Sequence, residues 1–593
     1  MYKAPVGEIA FTLSEICGLK DLQSTTRFAE VSDDLVEAIL TEAGRFAAEE
    51  IAPLNKVADT HGTPFKDGAV TTPPGWKELY KAWAEGGWNG LSAGEEGGGQ
   101  ALPVMLNTAA LEMWNSGSMA FAIGPTLTMG AVEAIERHAS DELKATYLEK
   151  LVSGEWMATM NLTEPQAGSD LNALRSRAER QDDGTYRIFG QKIFITYGEH
   201  DMTDNIVHLV LARLPDAPAG TRGISLFLVP KFFVNEDGSL GARNDVRCAG
   251  VEHKMGIHGS PTCTMVYGDE GGAIGWLIGE ENRGLACMFT MMNNARLAVG
   301  VQGLGVAERA FQQALSYAID RKQGRAPGDK GPDMSPIARH PDIKRTLLAM
   351  KARTQVARIL CYACAHAIDM AHAAESDADK AFWNERAGVL TPLAKAISTD
   401  FGSEVSSLGV QIHGGMGYVE ETGAAQHMRD ARIACIYEGT NGIQSIDLVL
   451  RKLPLSGGEH VTGYLGELGA IADEVAASNL EGLAGVGARL KQAVADLSET
   501  TAWMMAAQAE GRVADALCGA TPYLRQFGLT VGGVLLARGA LRSTGDHAHG
   551  AAERALLARN FAETILTETI GIKADILASS SAIQAFDPEA LAS

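Results

Sequence analysis

The segment from about residue 155 to 279 constrains the fold most, because it reads as strand throughout yet lies between long helical stretches. Tyr186, Ile188, Ile193 and Ile195, and the runs 206–211 (IVHLVL) and 224–229 (ISLFLV), are rich in β-branched and aromatic residues at strand-like lengths. Turn signals separate them: Asp182-Asp183-Gly184, Asn235-Glu236-Asp237-Gly238 and Asp269-Glu270-Gly271-Gly272. No helix-length pattern intervenes, which favours an antiparallel barrel or sandwich over βαβ units.

Helical patterns fill the rest. Ser32 reads as an N-cap, Asp33 and Asp34 suit a first turn, Leu35, Ile39, Phe46 and Ile51 follow at helical spacing, and Pro53 ends the run. Ser140 opens another helix and Gly154 closes it, while GEEGGGQ (94–100) is a loop. Long helices resume near Arg283, break at a Pro/Gly-rich loop (326–336), and continue to about Lys452. Pro454, Ser456, Gly457 and Gly458 mark a linker, and an Ala-rich helical segment follows.

The chain has 593 residues and a net charge of −22, which argues against a general nucleic-acid binder, since neutralising phosphates needs a basic surface. Its 8 cysteines are scattered and fit a reducing compartment better than a disulfide scaffold. The start, MYKAPVGEIAF, has no signal-peptide pattern. The uncharged stretch 113–132 contains Asn115, Gly117, Gly124 and Pro125, so a buried helix pair is expected there rather than a membrane span. A soluble cytoplasmic protein is expected.

Several motifs carry no chemistry. Gly90-Leu91-Ser92-Ala93-Gly94 matches a nucleophile elbow, but a helical segment precedes it and a glycine loop follows. Cys361 and Cys364 form C-x-x-C inside an apolar helix pattern, with no second pair to complete a zinc set, so buried thiols and no metal site are expected. No P-loop and no dinucleotide fingerprint is present.

Three segments combine useful groups. In MNLTEPQAGSD (160–170), Thr163 offers a hydroxyl, and Gly168 and Ser169 permit a tight turn with exposed N–H groups. In KIFIT (192–196), Phe194 and Thr196 share one strand face, so Phe194 could cover a ring that Thr196 hydrogen-bonds. In IYEGTN (436–441), Glu438 follows an apolar stretch, where desolvation would raise it above the usual value of about 4.3 and suit it as a base. Gly439 permits close approach, and Thr440 or Asn441 could cap the helix that follows. Each segment alone could equally be an ordinary turn or strand.

Together with Asn293-Asn294-Ala295-Arg296, Asp320-Arg321-Lys322 and QIHGGMGY (411–418), these segments resemble the acyl-CoA dehydrogenase family over about residues 31 to 452. The resemblance implies a mainly α fold with a central β domain: a leader (1–30), an N-terminal helical domain (31–154), a middle β-barrel (155–282), a four-helix bundle (283–455) and an additional helical extension (456–593). It implies FAD as cofactor, held by Met160, Leu162, Thr163, Gly168, Ser169, Phe194, Ile195, Thr196, Arg321, Gln411, Gly414, Gly415, Thr440 and Asn441. Ser169, Arg296 and Gly439 would meet the acyl-CoA, and Glu438 would be the catalytic base. An electron-transfer flavoprotein would take the electrons, and a homodimer is expected, with no nucleic-acid or membrane partner.

The RKQGR form (321–325), GGMGYVEETG and the helical tail are most similar to the branch that oxidises 3-(methylthio)propanoyl-CoA. Phe194 stands where many relatives have Trp, the RKQGR run departs from the usual one after its first arginine, and His413 replaces an apolar residue. An oxidase passing electrons to O₂ and a DNA-protecting relative are the alternatives; the mixed-sign tail disfavours the second. FAD and acyl-CoA are polyanions, so in a chain of charge −22 their binding must rely on local cations such as Arg296 and Arg321.

Overall fold

The computed structural model describes residues 2–480, 482–483, 485–545 and 550–592, without the side chains of 289–293. Its principal helices are α1 (Asp33–Phe46), α2 (Trp76–Glu85), α3 (Val104–His138), α4 (Asp141–Val152), α5 (Gly284–Asp320), α6 (Pro341–Ala373), α7 (Asp377–His413), α8 (Asn441–Asp447), α9 (Glu459–Ala477), α10 (Val486–Ala509) and α11 (Ala520–Arg542). The chain divides into two compact units: Met1–Gly44, Val104–Glu112 and Val299–Ser593 in one, Arg45–Pro103 and Met113–Ala298 in the other.

The second unit holds the sheet. Its strands are β1 (Met157–Asn161), β2 (Arg177–Arg180), β3 (Tyr186–Thr196), β4 (Ile206–Arg213), β5 (Ile224–Pro230), β6 (Val246–Val251), β7 (Thr262–Tyr267) and β8 (Ala273–Ile278). They pair in the order β6-β7-β3-β8-β5-β4-β1, and β2 pairs with both β3 and β4. That double pairing closes a ring, β3-β8-β5-β4-β2, so the barrel expected from the turn spacing is present. The pairing is antiparallel except β1 with β4 and β2 with β4. β4 and β5 are buried nearly end to end, which explains why they read as apolar runs rather than alternating strands.

α3 is two helices joined at a kink at Ser118, whose φ of −159° is not helical. Among the described residues it is the helix long and apolar enough to cross a membrane, and 72% of that apolar window is buried. Ser140 caps α4 by accepting from the Leu143 N–H at 3.4 Å, as its position before Asp141 and Glu142 predicts.

In the first unit α5, α6 and α7 form the bundle. α5 and α7 meet through glycines: a Cβ on Gly303 would lie 2.5 Å from the Ser398 carbonyl, and one on Gly402 2.7 Å from the Gly303 carbonyl. Cys361 and Cys364 are buried in α6, where burial pushes both thiols up, Cys364 to about 12. Arg358 is fully buried between Glu112 and Glu308 and donates to both, at 3.0 and 2.9 Å. The C-terminal helices join this same unit. α11 seats on the bundle with Gly528 against Ile397 and Gly532 against Val356, where a Cβ would come within 2.3 and 2.2 Å. Residues of the leader reach α11 as well: Arg538 donates to the Ile16 carbonyl, and Ile16 packs against Gly539.

Candidate active site

In the barrel unit, β1 ends at Asn161 and the chain turns at once. Glu164 and Ala167 exchange both backbone hydrogen bonds at 3.0 Å, and Thr163 accepts from the Ile193 N–H at 2.9 Å, which ties the turn to β3. The strongest tie is a buried ion pair. Lys192 Nζ lies 2.8 Å from Glu164 Oε1 and 3.1 Å from the Leu162 carbonyl, and both side chains are excluded from solvent. Glu164 also accepts from the N–H groups of Arg175 (2.7 Å) and Ser176 (3.0 Å) and from the Gln166 amide (2.6 Å). Burial pushes the Glu164 carboxyl up, but the ammonium and these donors outweigh it and hold it at about 2. The same burial draws the Lys192 ammonium down from its ordinary value.

Strict alternation along KIFIT would put Lys192, Phe194 and Thr196 on one face. Phe194 and Thr196 keep the outward face, but Lys192 leaves it: Lys192 is fully buried, whereas Phe194 is 58% exposed. The cause is a bulge. The register with β7 slips between Cys263, opposite Ile195, and Met265, opposite Lys192. The extra residue is absorbed where Phe194 takes φ of +60°, a left-handed conformation that bulky residues rarely adopt. Ile195 is buried in the barrel core, so among Phe194, Ile195 and Thr196 the side chains left facing outward are Phe194 and Thr196. Met160 packs in the neighbouring core cluster, with Leu162 at its edge. Gly168 and Ser169 are exposed, and the hydroxyls of Thr163, Ser169 and Thr196 bond no other described residue. Arg296 is buried on α5. Its neighbour Asn294 donates to Glu133, whose carboxyl burial raises, and the Asn293 side chain lies outside the described residues.

In the bundle unit, Glu438 has φ of +54° and Gly439 +79°, two left-handed residues in succession. Glu438, Gly439, Thr440 and Asn441 are all half-buried. Thr440 is the N-cap of α8, accepting from the Ile443 N–H at 3.1 Å. Asn441 turns the other way: its oxygen accepts from Lys395 Nζ at 2.8 Å, and its nitrogen donates to Asp400 at 2.7 Å and Thr399 at 3.1 Å. Its side chain is therefore spent on α7. The Tyr437 hydroxyl donates to Gln302. Gln444 is fully buried and donates to the carbonyls of Glu438 and Gly439, each at 3.3 Å.

At the end of α7, Gln411, Gly414 and Gly415 are exposed, and Gly414 has φ of +60°. His413 is buried: Nδ1 donates to the Gly409 carbonyl at 2.7 Å and the ring stacks on Tyr317 at 4.4 Å. These two contacts hold it against the helix end and α5. Arg321 is exposed just past α5, where its carbonyl accepts from the Ile337 N–H at 2.7 Å.

The barrel unit thus gathers Met160, Leu162, Thr163, Gly168, Ser169, Phe194, Ile195, Thr196 and Arg296, and the bundle unit carries Arg321, Gln411, Gly414, Gly415 and the Glu438 turn. Sequence reasoning gave no role to Glu164, Lys192 or Gln444. The signal for the first two was a lone lysine at the head of an otherwise apolar strand segment, which needs a partner carboxylate if the strand is buried. The barrel-unit groups by themselves suit a flavin: an outward aromatic ring, three uncommitted hydroxyls, and open space where a Cβ on Gly168 would touch nothing within 4 Å; in the bundle unit, Gly414 and Gly415 have the same open space.

The chain belongs to the acyl-CoA dehydrogenase family. The family's N-terminal domain matches residues 33–155, its middle domain 159–269 and its C-terminal domain 282–453, and an acetyl-CoA dehydrogenase C-terminal-like domain matches 465–587. It is an FAD-dependent oxidoreductase. Among curated relatives it is 44% identical to 3-methylmercaptopropionyl-CoA dehydrogenase of Ruegeria pomeroyi, over 96% of each chain. It is 37% identical to a butyryl-CoA dehydrogenase of Syntrophomonas wolfei, over 78% of this chain and 77% of that one. Among solved structures, Caenorhabditis elegans ACDH-11 in complex with C11-CoA has the same fold, with a TM-score of 0.77 at 20% identity over 97% of this chain and 95% of that one. So does an acyl-CoA dehydrogenase complexed with FAD from Bacillus anthracis, with a TM-score of 0.74 at 23% identity over 98% and 93%.

Proposed function

We propose that this enzyme oxidises the thioether thioester 3-(methylthio)propanoyl-CoA to its 2,3-enoyl-CoA, with Glu438 as the base. The observation that carries the base assignment is the paired left-handed conformation at Glu438 and Gly439, because strained non-glycine backbone persists where function over-determines it. The 44% identity over nearly the whole of both chains supports the thioether substrate.

Glu438 removes the α-proton of the bound thioester, and its own N–H donates to the thioester carbonyl and stabilises the charge that develops there. Ser169 and Arg296 hold the acyl-CoA, and Gly439 gives its chain room. Thr163, Ser169 and Thr196 would supply hydrogen bonds to the flavin, Phe194 would pack on it, and Arg321, Gln411, Gly414 and Gly415 would hold its adenosine and pyrophosphate portion. Bound FAD supplies the two-electron acceptor for the Cα–Cβ oxidation. An electron-transfer flavoprotein removes those electrons. The exposed Met416, Tyr418 and Val419 beyond α7 support a homodimer.

Anaerobic flavin bleaching across a panel of acyl-CoAs, including butyryl-CoA and 3-(methylthio)propanoyl-CoA, tests the reading. The thioether substrate should bleach with the highest kcat/KM. Glu438→Gln should stay yellow and lose about 10²–10⁴-fold in bleaching rate, the worth of a positioned general base. Undiminished bleaching rejects Glu438.

A further inference from the structure

We infer that Gln444 is the positioning residue of the base: its buried amide holds the Glu438–Gly439 turn, and through that turn the Glu438 carboxylate, in reacting register. The inference rests on Glu438 being the base.

Two successive left-handed residues cannot continue the hydrogen-bond ladder of a helix or a strand, so their carbonyls need a partner from elsewhere. One side chain meets both. Gln444 Nε2 lies 3.3 Å from the Glu438 carbonyl and 3.3 Å from the Gly439 carbonyl. Carbonyls only accept, so the amide nitrogen must face them, and the orientation of the amide is fixed by its neighbours. The consequence is that Gln444 Oε1 is buried with no hydrogen-bond partner among the described residues. Methionine or leucine would fill similar space without that penalty, so packing alone does not account for glutamine here. The fit is close: a Cβ on Gly439 would lie 2.9 Å from Gln444 Nε2.

Gln444 is itself anchored. Its N–H donates to the Thr440 carbonyl at 3.0 Å, Thr440 caps α8, and Asn441 fastens the start of α8 to Lys395 and Asp400. Rigid helix thus leads to amide, amide to turn, and turn to carboxylate. The amide is also neutral, so it fixes the base without biasing its proton affinity, as a cation in the same place would.

The test is Gln444→Met, assayed per bound flavin with butyryl-CoA and its α-deuterated form. The expected result is normal flavin content, KM within about 3-fold of wild type, and kcat lowered about 30- to 100-fold, the scale of a small misplacement of a reacting group. The isotope effect on α-deuteration should rise as proton removal becomes slower. Gln444→Glu, the same shape with a donor replaced by an acceptor, should lower kcat as well and serves if the methionine variant does not fold. A kcat within about 3-fold of wild type, or a loss of flavin and kcat together with an unchanged isotope effect, overturns the inference. Glu438→Gln run alongside separates the two claims. If it still bleaches, the base assignment fails; if it is silent while Gln444→Met turns over normally, only the positioning inference fails.

Discussion

The turn at 163–170 is pinned by charge, whereas the turn at 438–441 is pinned by amides. Glu164 and Lys192 are both buried, and the carboxylate collects three further N–H donors, so that turn is fastened by an ion pair that water cannot screen. Around Glu438, the Gln444 amide donates to both carbonyls of the turn, and the Asn441 amide fastens the end of the turn to Lys395 and Asp400. The difference follows from what each turn presents. The first offers hydroxyls and N–H groups, which do not titrate near neutral pH, so a neighbouring charge does no harm. The second carries a carboxylate whose proton affinity sets its use, and neutral clamps leave that affinity alone.

The largest effect expected from breaking this contrast is on folding. Lys192→Met leaves Glu164 buried without its counter-charge and should destabilise the barrel unit by about 3–5 kcal/mol, seen as a large fall in denaturation midpoint. Loss of less than about 1 kcal/mol would show that the charge clamp is no stronger than the amide clamp. A smaller effect separates the two turns by pH. The folded Glu164 carboxyl is held at about 2, below its ordinary range, so its contribution is complete above its ordinary value and is lost as pH falls toward 2. Urea midpoints should therefore drop more between pH 6 and 3.5 in wild type than in Glu164→Gln, while Gln444→Met should run parallel to wild type. Smallest is the effect of Phe194→Ala, which removes the outward ring and should weaken FAD about 3- to 10-fold by fluorescence titration.

Much of this was legible in the sequence where one residue type has one local job. Ser140 and Thr440 cap the helices that their positions predict. The uncharged 113–132 stretch is a buried helix with its break at Ser118. The turn-separated runs close into a barrel, although the parallel pairings of β1 and β2 with β4 follow from no local signal. What escaped was set by tertiary neighbours. Lys192 leaves the face shared by Phe194 and Thr196 because β7 is one residue short opposite Phe194, and no property of KIFIT itself encodes that slip. Gln444 reads as a polar residue in a helix, and its role exists only because the chain six residues earlier turns left-handed. Asn441 was legible as a polar residue at a helix start, but a cap and a tether to α7 look alike in one dimension.

The glycine face of α11 sets a timetable for synthesis. Gly528 and Gly532 receive Ile397 and Val356 of the bundle, and Arg538 holds the carbonyl of Ile16, 522 positions earlier. At roughly 5–20 residues per second, the first helices wait about 30–100 s on the ribosome before the helix that covers them exists. The barrel unit, complete by residue 298, can close in that interval, whereas the bundle cannot finish its core until α11 emerges. Over that period apolar residues such as Ile16, Val356 and Ile397 are exposed nascent chain, and they are where a chaperone would be expected to hold it.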